Sequence, residues 1–358
     1  MGSKIHRVAI VGCGRLGQNY AEAYSSYPDT EIAAIVESNP ERLEAVGKRF
    51  GVEALYPDIH ALLKDMVPDI VAVVTPTRFY KEAVLASAEA GVKGVSSDKP
   101  IAAVLSDADE MVEACESRGV VYAGGNLQRA MNEVQEAARM LRSGSFGEII
   151  GASVHRWGGG EISGGGCQHI SVLRLLAGAE VGEVMAWGTP QEALGSESDD
   201  GLFVNAMLRL TSGVECAVFS QHTPYRGVDV WSDDSLVRWD WGPPELYKGF
   251  DANGSRLRVK HEYAPYRWSE HSYLTGSIRS FLAAVETGTE LAVSGHDLRQ
   301  ALEVAIAAKM SAKLGNVPIK LPLKDRSLSL YPMPYRWSGG DVTGRPQTIE
   351  EAAGQPRS

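Results

Sequence analysis

Cysteine is scarce in this chain: Cys13, Cys115, Cys167 and Cys216 are the only four among 358 residues. They form no C-x-x-C pair, and no His/Cys cluster has zinc spacing. A disulfide framework and a structural zinc site are therefore not expected, and a reduced, cytoplasmic setting is. Long apolar runs are missing as well. No window approaches the ~18 consecutive apolar residues of a membrane helix. The start, MGSKIHRVAIVG, runs straight into a strand-like segment without the layout of a signal peptide. Basic blocks are also absent: 35 Lys and Arg stand against 45 Asp and Glu, a net charge of −10. Phosphate backbones require clustered cations, so nucleic acid is not an expected partner. The chain has no internal repeat and no low-complexity tract.

What is present is an ordinary globular composition. Apolar residues make up 44% and charged residues 22%, and the length suits about two domains.

The stretch RVAIVGCGRLGQNYAEAY reads as a strand, a glycine turn and a helix start. Gly12, Gly14 and Gly17, with Arg15 and Leu16 between them, spell G-x-G-x-x-G. The first glycine permits a tight turn, the second a close backbone approach to a pyrophosphate, and the third close helix–strand packing. The helix N-terminus adds free N–H groups and a positive dipole end. A second strand, EIAAIVES, ends at Glu37, where an acid binds the ribose hydroxyls in a dinucleotide (Rossmann) site. Glu37 also repels a 2′-phosphate, and Ser38, Asn39 and Pro40 follow it rather than an Arg. NAD is therefore expected over NADP.

Alternation continues through DIVAVVTPT, KEAVLASAEAG, VKGVSS, a helix with Ser106 as its cap, and GVVYAGG. Strands alternating with helices imply a doubly wound parallel sheet, with ligands at the carboxyl ends of its strands. That places Thr75, Pro76, Thr77, Asp98, Lys99, Gly125 and Asn126 on one rim beside the cofactor. The expected division is a dinucleotide-binding domain over 1–125, a substrate-binding and oligomerisation domain over 126–330, and an extended tail over 331–358.

Three motifs together, GCGRLG, VVTPT and SSDKPIA, resemble the glucose-fructose oxidoreductase / inositol dehydrogenase / MocA (Gfo/Idh/MocA) family. That family usually has Glu-Lys-Pro where this chain has Asp98-Lys99-Pro100. The match is clear over residues 5–150 and thinner beyond. The resemblance implies an NAD(P)-dependent oxidoreductase of sugars, polyols or glycosides, with carbon 3 of a pyranose as one position. It also implies a C-terminal α/β domain whose open, mostly antiparallel sheet serves oligomerisation. Lys99, partly desolvated at a strand end, is expected to accept or relay a hydroxyl proton while hydride leaves the adjacent carbon.

The second half carries alternating segments such as DDGLFVNAMLRLTSG, VECAVFSQHT and GVDVWSDDSLVRWDW, read as antiparallel strands with one covered face. Two amphipathic helices follow, the second capped by Ser294. Arg156 and Trp157 are candidate substrate contacts, and Trp268 is another aromatic of that kind. The tail, with Tyr335 and Trp337, is expected to pack on a neighbouring subunit.

The stretch SGGGCQHISVLR, residues 163–174, departs from the resemblance. The family carries D-x-G-x-H-x-x-D ahead of an apolar helix, and its His is the usual acid/base. Anchoring on VLRLLAG puts Gln168 in that place and Ser171 in the last Asp place. Sliding by one puts His169 there, at a cost in buried helix face. The first register is preferred. Lys99 is then the main base with His169 assisting, and Gln168 a substrate hydrogen-bonder. Two further readings stay open: a redox-assisted glycosidase or lyase that keeps its NAD, and a non-catalytic NAD-binding sensor.

Overall fold

The computed structural model of the chain describes residues 5–125, 127–263, 272–340 and 345–354. Asn126 and Trp268 lie outside the described residues. No helix among those described is long and apolar enough to cross a membrane.

The chain forms two compact units. The first gathers Met1–Asn126, Glu270–Arg299 and Pro334–Ser358, and the second Leu127–Ser269 and Gln300–Met333. The first unit opens with strands β1 (His6–Val11), β2 (Thr30–Val36), β3 (Leu55–Tyr56), β4 (Ile70–Val73), β5 (Gly94–Ser97) and β6 (Val121–Gly124). Helices α1 (Arg15–Ser25), α2 (Pro40–Phe50), α3 (Ile59–Asp65), α4 (Tyr80–Glu89) and α5 (Leu105–Ser117) alternate with them. The sheet order is β3-β2-β1-β4-β5-β6, and all pairings are parallel. Runs such as Ile70–Val73, buried at every residue, mark strands covered on both faces. Strand order reverses between β1 and β4, and such a switch point opens the crevice where α/β sheets bind ligands. The doubly wound parallel sheet expected from the sequence is present. Ser106 is not the cap of its helix: α5 starts at Leu105, whose side chain is fully buried.

The second unit begins with α6 (Asn132–Arg142), β7 (Gly151–His155), α7 (Gly166–Ala177), β8 (Val181–Thr189) and α8 (Gln191–Gly195). Strands β9 (Phe203–Leu210), β10 (Glu215–Phe219), β11 (Gly227–Trp231), β12 (Ser235–Trp239), β13 (Glu245–Phe250) and β14 (Arg256–Arg258) follow. After α9 (Ser272–Thr287) and α10 (Gly295–Lys313) comes the short β15 (Ile319–Lys320). The order β14-β13-β12-β11-β7-β10-β9-β8-β15 is antiparallel throughout except at β7–β10. In β9 buried and open residues alternate strictly after Phe203. Val204, Ala206, Leu208 and Leu210 face the core while Asn205, Met207 and Arg209 stand on the open face.

The division differs from the expected boundaries in two places. Helix α9 returns to the first unit, where Leu274, Ile278, Phe281 and Leu282 enter its core. The C-terminal residues also belong to that unit. They form α11 (Pro334–Trp337) and α12 (Ile349–Ala353), and Ala352 is fully buried in the same core. Apolar periodicity shows that a helix has a face to bury, and does not name the sheet that receives it. Ser294 does cap α10: its Oγ accepts the Asp297 N–H.

Candidate active site

In the first unit the β1–α1 turn uses its three glycines for different reasons. Gly12 has φ +92°, and a Cβ there would lie 2.7 Å from Val74 O. A Cβ on Gly17 would lie 1.9 Å from Gly12 O, so this glycine lets α1 sit against the turn. A Cβ on Gly14 would meet nothing within 4 Å, and its φ is an ordinary −66°. Nothing within the protein requires glycine at 14. The space beside it fits a pyrophosphate approaching the backbone at a helix N-terminus.

Glu37, buried just beyond β2, is fixed by two backbone groups. Cys13 N–H donates to Oε2 at 3.0 Å and Asn39 N–H to Oε1 at 2.9 Å. The carboxylate is thereby held against the glycine turn, where a ribose hydroxyl ligand belongs. The structure adds a cation that the sequence reading did not place. Asn39 caps α2 by accepting the Arg42 N–H, and Arg42 Nη1 comes within 3.9 Å of Glu37 Oε2. The signal was the Asn39-Pro40 helix start, which turns residue 42 back toward its own cap.

At the carboxyl ends of β4 and β5, Thr75 donates to Pro76 O, and buried Thr77 opens a short 3-10 turn, Thr77–Phe79. Asp98 is almost fully buried and organises its surroundings. Its Oδ1 accepts the Lys99 backbone N–H at 2.6 Å and the Lys99 ammonium at 3.1 Å. Its Oδ2 accepts the Tyr20 hydroxyl at 3.4 Å. Burial, followed by the Asp98 charge, raises the Tyr20 phenol well above its ordinary range. A Cβ at Gly125 would lie 2.2 Å from that hydroxyl, so Gly125 makes room for Tyr20. Arg15 and Leu16 begin α1, and Arg15 Nη2 lies 2.8 Å from Glu351 Oε2.

In the second unit the glycine-rich stretch forms the approach to α7. Gly158 has φ +69°, and a Cβ there would strike Glu161 O. Two buried carboxylates then hold the backbone: Glu161 Oε2 accepts Gly165 N–H at 3.0 Å, and Asp199 Oδ2 accepts Ser163 N–H at 2.6 Å. Burial first, and the Glu161 charge second, push the Asp199 carboxyl up to about 7.

Helix α7 then separates the two contested side chains. Gln168 Oε1 accepts the Gln128 backbone N–H at 2.8 Å, and Arg129 donates to Ser171 O at 2.8 Å. Residues 168 and 171 thus share the helix face against the Gln128–Ala130 turn. His169 lies against the aromatic layer instead. Its ring meets Trp241 edge-on at 5.8 Å and Trp239 at 6.0 Å, and the two indoles stack at 5.5 Å. Burial drives the His169 pKa down to about 4. The Gly165 and His155 backbone bias its protonation, yet neither ring nitrogen reaches hydrogen-bond geometry. The indole nitrogens of Trp239 and Trp241 are likewise buried without a partner.

Trp157, expected as a substrate contact, has no exposed surface, and its indole donates to Gly166 O at 3.2 Å. It underlies the start of α7. Arg156 is exposed with φ 55°, and Trp241 has φ 59°, a backbone region that L-residues seldom occupy.

Sequence reading missed Trp239, Trp241 and His155. The W-D-W pattern at a strand end and the S-V-H and D-V-W alternations were the available signals. They set Ser153, His155 and Asp229 on one sheet face. Tyr225 there bonds His155 Nε2 at 2.9 Å and donates to Asp229 Oδ2 at 2.6 Å. Burial shifts His155 below the usual histidine range.

Comparison with known proteins agrees with the fold and with the dinucleotide signature. Residues 6–125 match the sequence model of the Gfo/Idh/MocA oxidoreductases, described as an oxidoreductase family with an NAD-binding Rossmann fold. The chain is 26% identical to D-apiose dehydrogenase of Paraburkholderia graminis over 86% of its length and 88% of that protein. It is 31% identical to D-glucoside 3-dehydrogenase of Escherichia coli over 40% of its length and 41% of that enzyme. An oxidoreductase from Agrobacterium radiobacter, crystallised with NAD+, superposes with a TM-score of 0.73 at 22% identity, covering 88% of this chain and 98% of that one. The cofactor is NAD, as the matched domain and the space beside Gly14 agree. Residues 6–125 are thus the NAD-binding Rossmann domain of a Gfo/Idh/MocA-type oxidoreductase.

Proposed function

We propose that the chain oxidises or reduces a secondary alcohol of a sugar, polyol or glycoside, with carbon 3 of a pyranoside as the reacting position. The observation that carries this reading is the ion pair of buried Asp98 with Lys99 at the carboxyl end of β5, in the unit that holds the dinucleotide signature. The relatives that act on apiose and on carbon 3 of glucosides support the substrate class.

NAD, when bound, supplies the hydride acceptor. The hydroxyl proton must leave as the carbinol C–H bond breaks, and Lys99 relays it: Nζ passes one of its own protons to Asp98 Oδ1 as it takes up the hydroxyl proton. Asp98 fixes Nζ, while the Lys99 backbone N–H and Tyr20 hydroxyl keep the carboxylate from rotating away. His169 is buried against Trp239 and Trp241 and takes a proton only at about pH 4, so Lys99 carries the step in this reading. Arg156 and Gln168 remain candidates for substrate contact. Gln168 Oε1 is already engaged by the Gln128 N–H. Trp241, half-buried, joins them, since an unpartnered indole N–H suits a polyhydroxylated ligand. NADH formation across methyl glycosides, free sugars and cyclitols, with NMR location of the new carbonyl, tests the reading. A ketone at another carbon overturns the position, and no NADH with any of them overturns the dehydrogenase.

We also infer a homo-oligomer through the open sheet face. Trp187 stands opposite Asn205, and Met185, Met207 and Ala217 lie in the next cross-strand row, with Phe219 at the end of β10. Trp187, Met207 and Phe219 are among the exposed large apolar side chains. A second copy of the same face covers these rows symmetrically. Light scattering on Phe219→Glu, expected to lower the mass, tests this. All four cysteines are buried and none forms a disulfide, which suits a reducing, cytoplasmic location.

A further inference from the structure

The C-terminal residues dock on the parts of the first unit that carry the dinucleotide signature. Gln18, in the first turns of α1, spans the gap: its Nε2 donates to Cys13 O in the glycine turn at 3.0 Å and to Gln347 Oε1 at 2.7 Å. Arg42, beside Glu37, donates to Gln347 O at 2.9 Å. Arg15, inside the G-x-G-x-x-G motif, pairs with Glu351. Ala352 anchors α12 in the core of the unit, and Gly354 lies against Arg49. A few residues earlier, α11 packs on the 3-10 turn after β4, and a Cβ on Gly339 would lie 3.3 Å from Pro76 Cγ. The described C-terminal residues therefore touch both loops that flank the β1/β4 switch point.

We propose that residues 345–354 complete the dinucleotide site as a strap over its adenosine and pyrophosphate end, and keep the cofactor bound through turnover. This rests on the cofactor lying along the glycine turn and Glu37. An acidic helix beside two phosphates would repel them if its charge were bare. The Glu351 charge is not bare: Thr348 N–H, Arg15 and Arg345 hold its carboxyl below the usual range. The capping box of Thr348 and Glu351 makes α12 a defined turn rather than a loose end. The polar contacts are partly exposed, and pairs of that kind exchange readily, as an element that must open for exchange requires.

The test is the NADH dissociation rate, followed by the change in nicotinamide fluorescence, in the full chain and in two variants. One lacks residues 345–358 and the other is Gln347→Ala/Glu351→Ala. Release at least about tenfold faster in both, with folding intact by circular dichroism, supports the strap. Loss of Ala352 from the core can unfold the deletion variant, and the double substitution then decides by the same rate. A lower melting temperature with release unchanged within about twofold overturns the strap and leaves only a stabilising tail. If the full chain itself fails to bind NADH, the cofactor placement fails with it, an outcome distinct from unchanged release.

Discussion

Gln168 Oε1 accepts the Gln128 backbone N–H at 2.8 Å, so this side chain ties α7 to the turn after β6. Truncation leaves a buried N–H without its acceptor. Gln168→Ala is expected to destabilise the chain by about 1–3 kcal/mol. Urea unfolding checks this. Unchanged stability together with a raised KM would assign the side chain to substrate instead.

Lys99 is the residue on which the proposed chemistry depends. Lys99→Ala is expected to cut turnover by ~10² to 10⁴, the scale of lost general acid–base catalysis, while NADH binding by fluorescence stays intact. Its removal leaves Asp98 buried with only N–H and O–H donors, so melting temperature must be followed alongside. Turnover that survives in a folded variant would move proton transfer to another group.

Glu37 and Arg42 make cofactor choice a balance rather than a simple exclusion. The carboxylate repels a 2′-phosphate, while the guanidinium 3.9 Å away attracts it. Glu37→Ala is expected to narrow the preference for NAD over NADP, and Arg42→Ala to widen it. Calorimetric titration of both cofactors against both variants checks the two directions. Equal effects of the same sign would show that the pair acts only as a structural unit.

The first sheet was legible because each parallel strand is a short apolar run closed by Gly, Pro or Thr, and three glycines with Glu37 repeat a known spacing. The open sheet was legible from period-two alternation, as in Phe203–Leu210. The destination of distant helices was not. Phe281 and Ala352 complete the core of β1 and β4, yet their own segments say only that they are apolar. Side-chain direction at a helix start was equally hidden. Residues 168 and 169 differ by about 100° around α7, and that rotation sends one to Gln128 and the other to Trp239 and Trp241. Trp157 is a candidate because aromatic faces suit sugars, but Gly166, where a Cβ would lie 2.6 Å from the indole nitrogen, lets the start of α7 close over it.

Two buried groups in the second unit give the chain opposite pH dependences. His169 takes a proton near 6.5 when unfolded and only at about 4 when folded. Its contribution is full above 6.5 and is lost as pH falls toward 4, because the unfolded chain then binds the extra proton. Asp199 gives up its proton near 3.8 when unfolded and at about 7 when folded. Burial and the facing Glu161 disfavour its charge, and Lys309 and the Ser163 N–H only partly offset them. Its protonated form therefore stabilises the fold most below 3.8, and that contribution declines as pH rises to about 7, then levels. The two slopes oppose one another between 4 and 6.5. His169→Phe should remove the acid-side loss, leaving a curve that falls steadily toward neutrality. Asp199→Asn, which keeps an acceptor for Ser163, should gain relative to the natural chain as pH rises, by up to about 3–4 kcal/mol above neutrality. Denaturant unfolding from about pH 4 to 8 measures both. A constant offset between Asp199→Asn and the natural chain across that range would show that Asp199 is ionised throughout, and that Lys309 and the Ser163 N–H outweigh its burial.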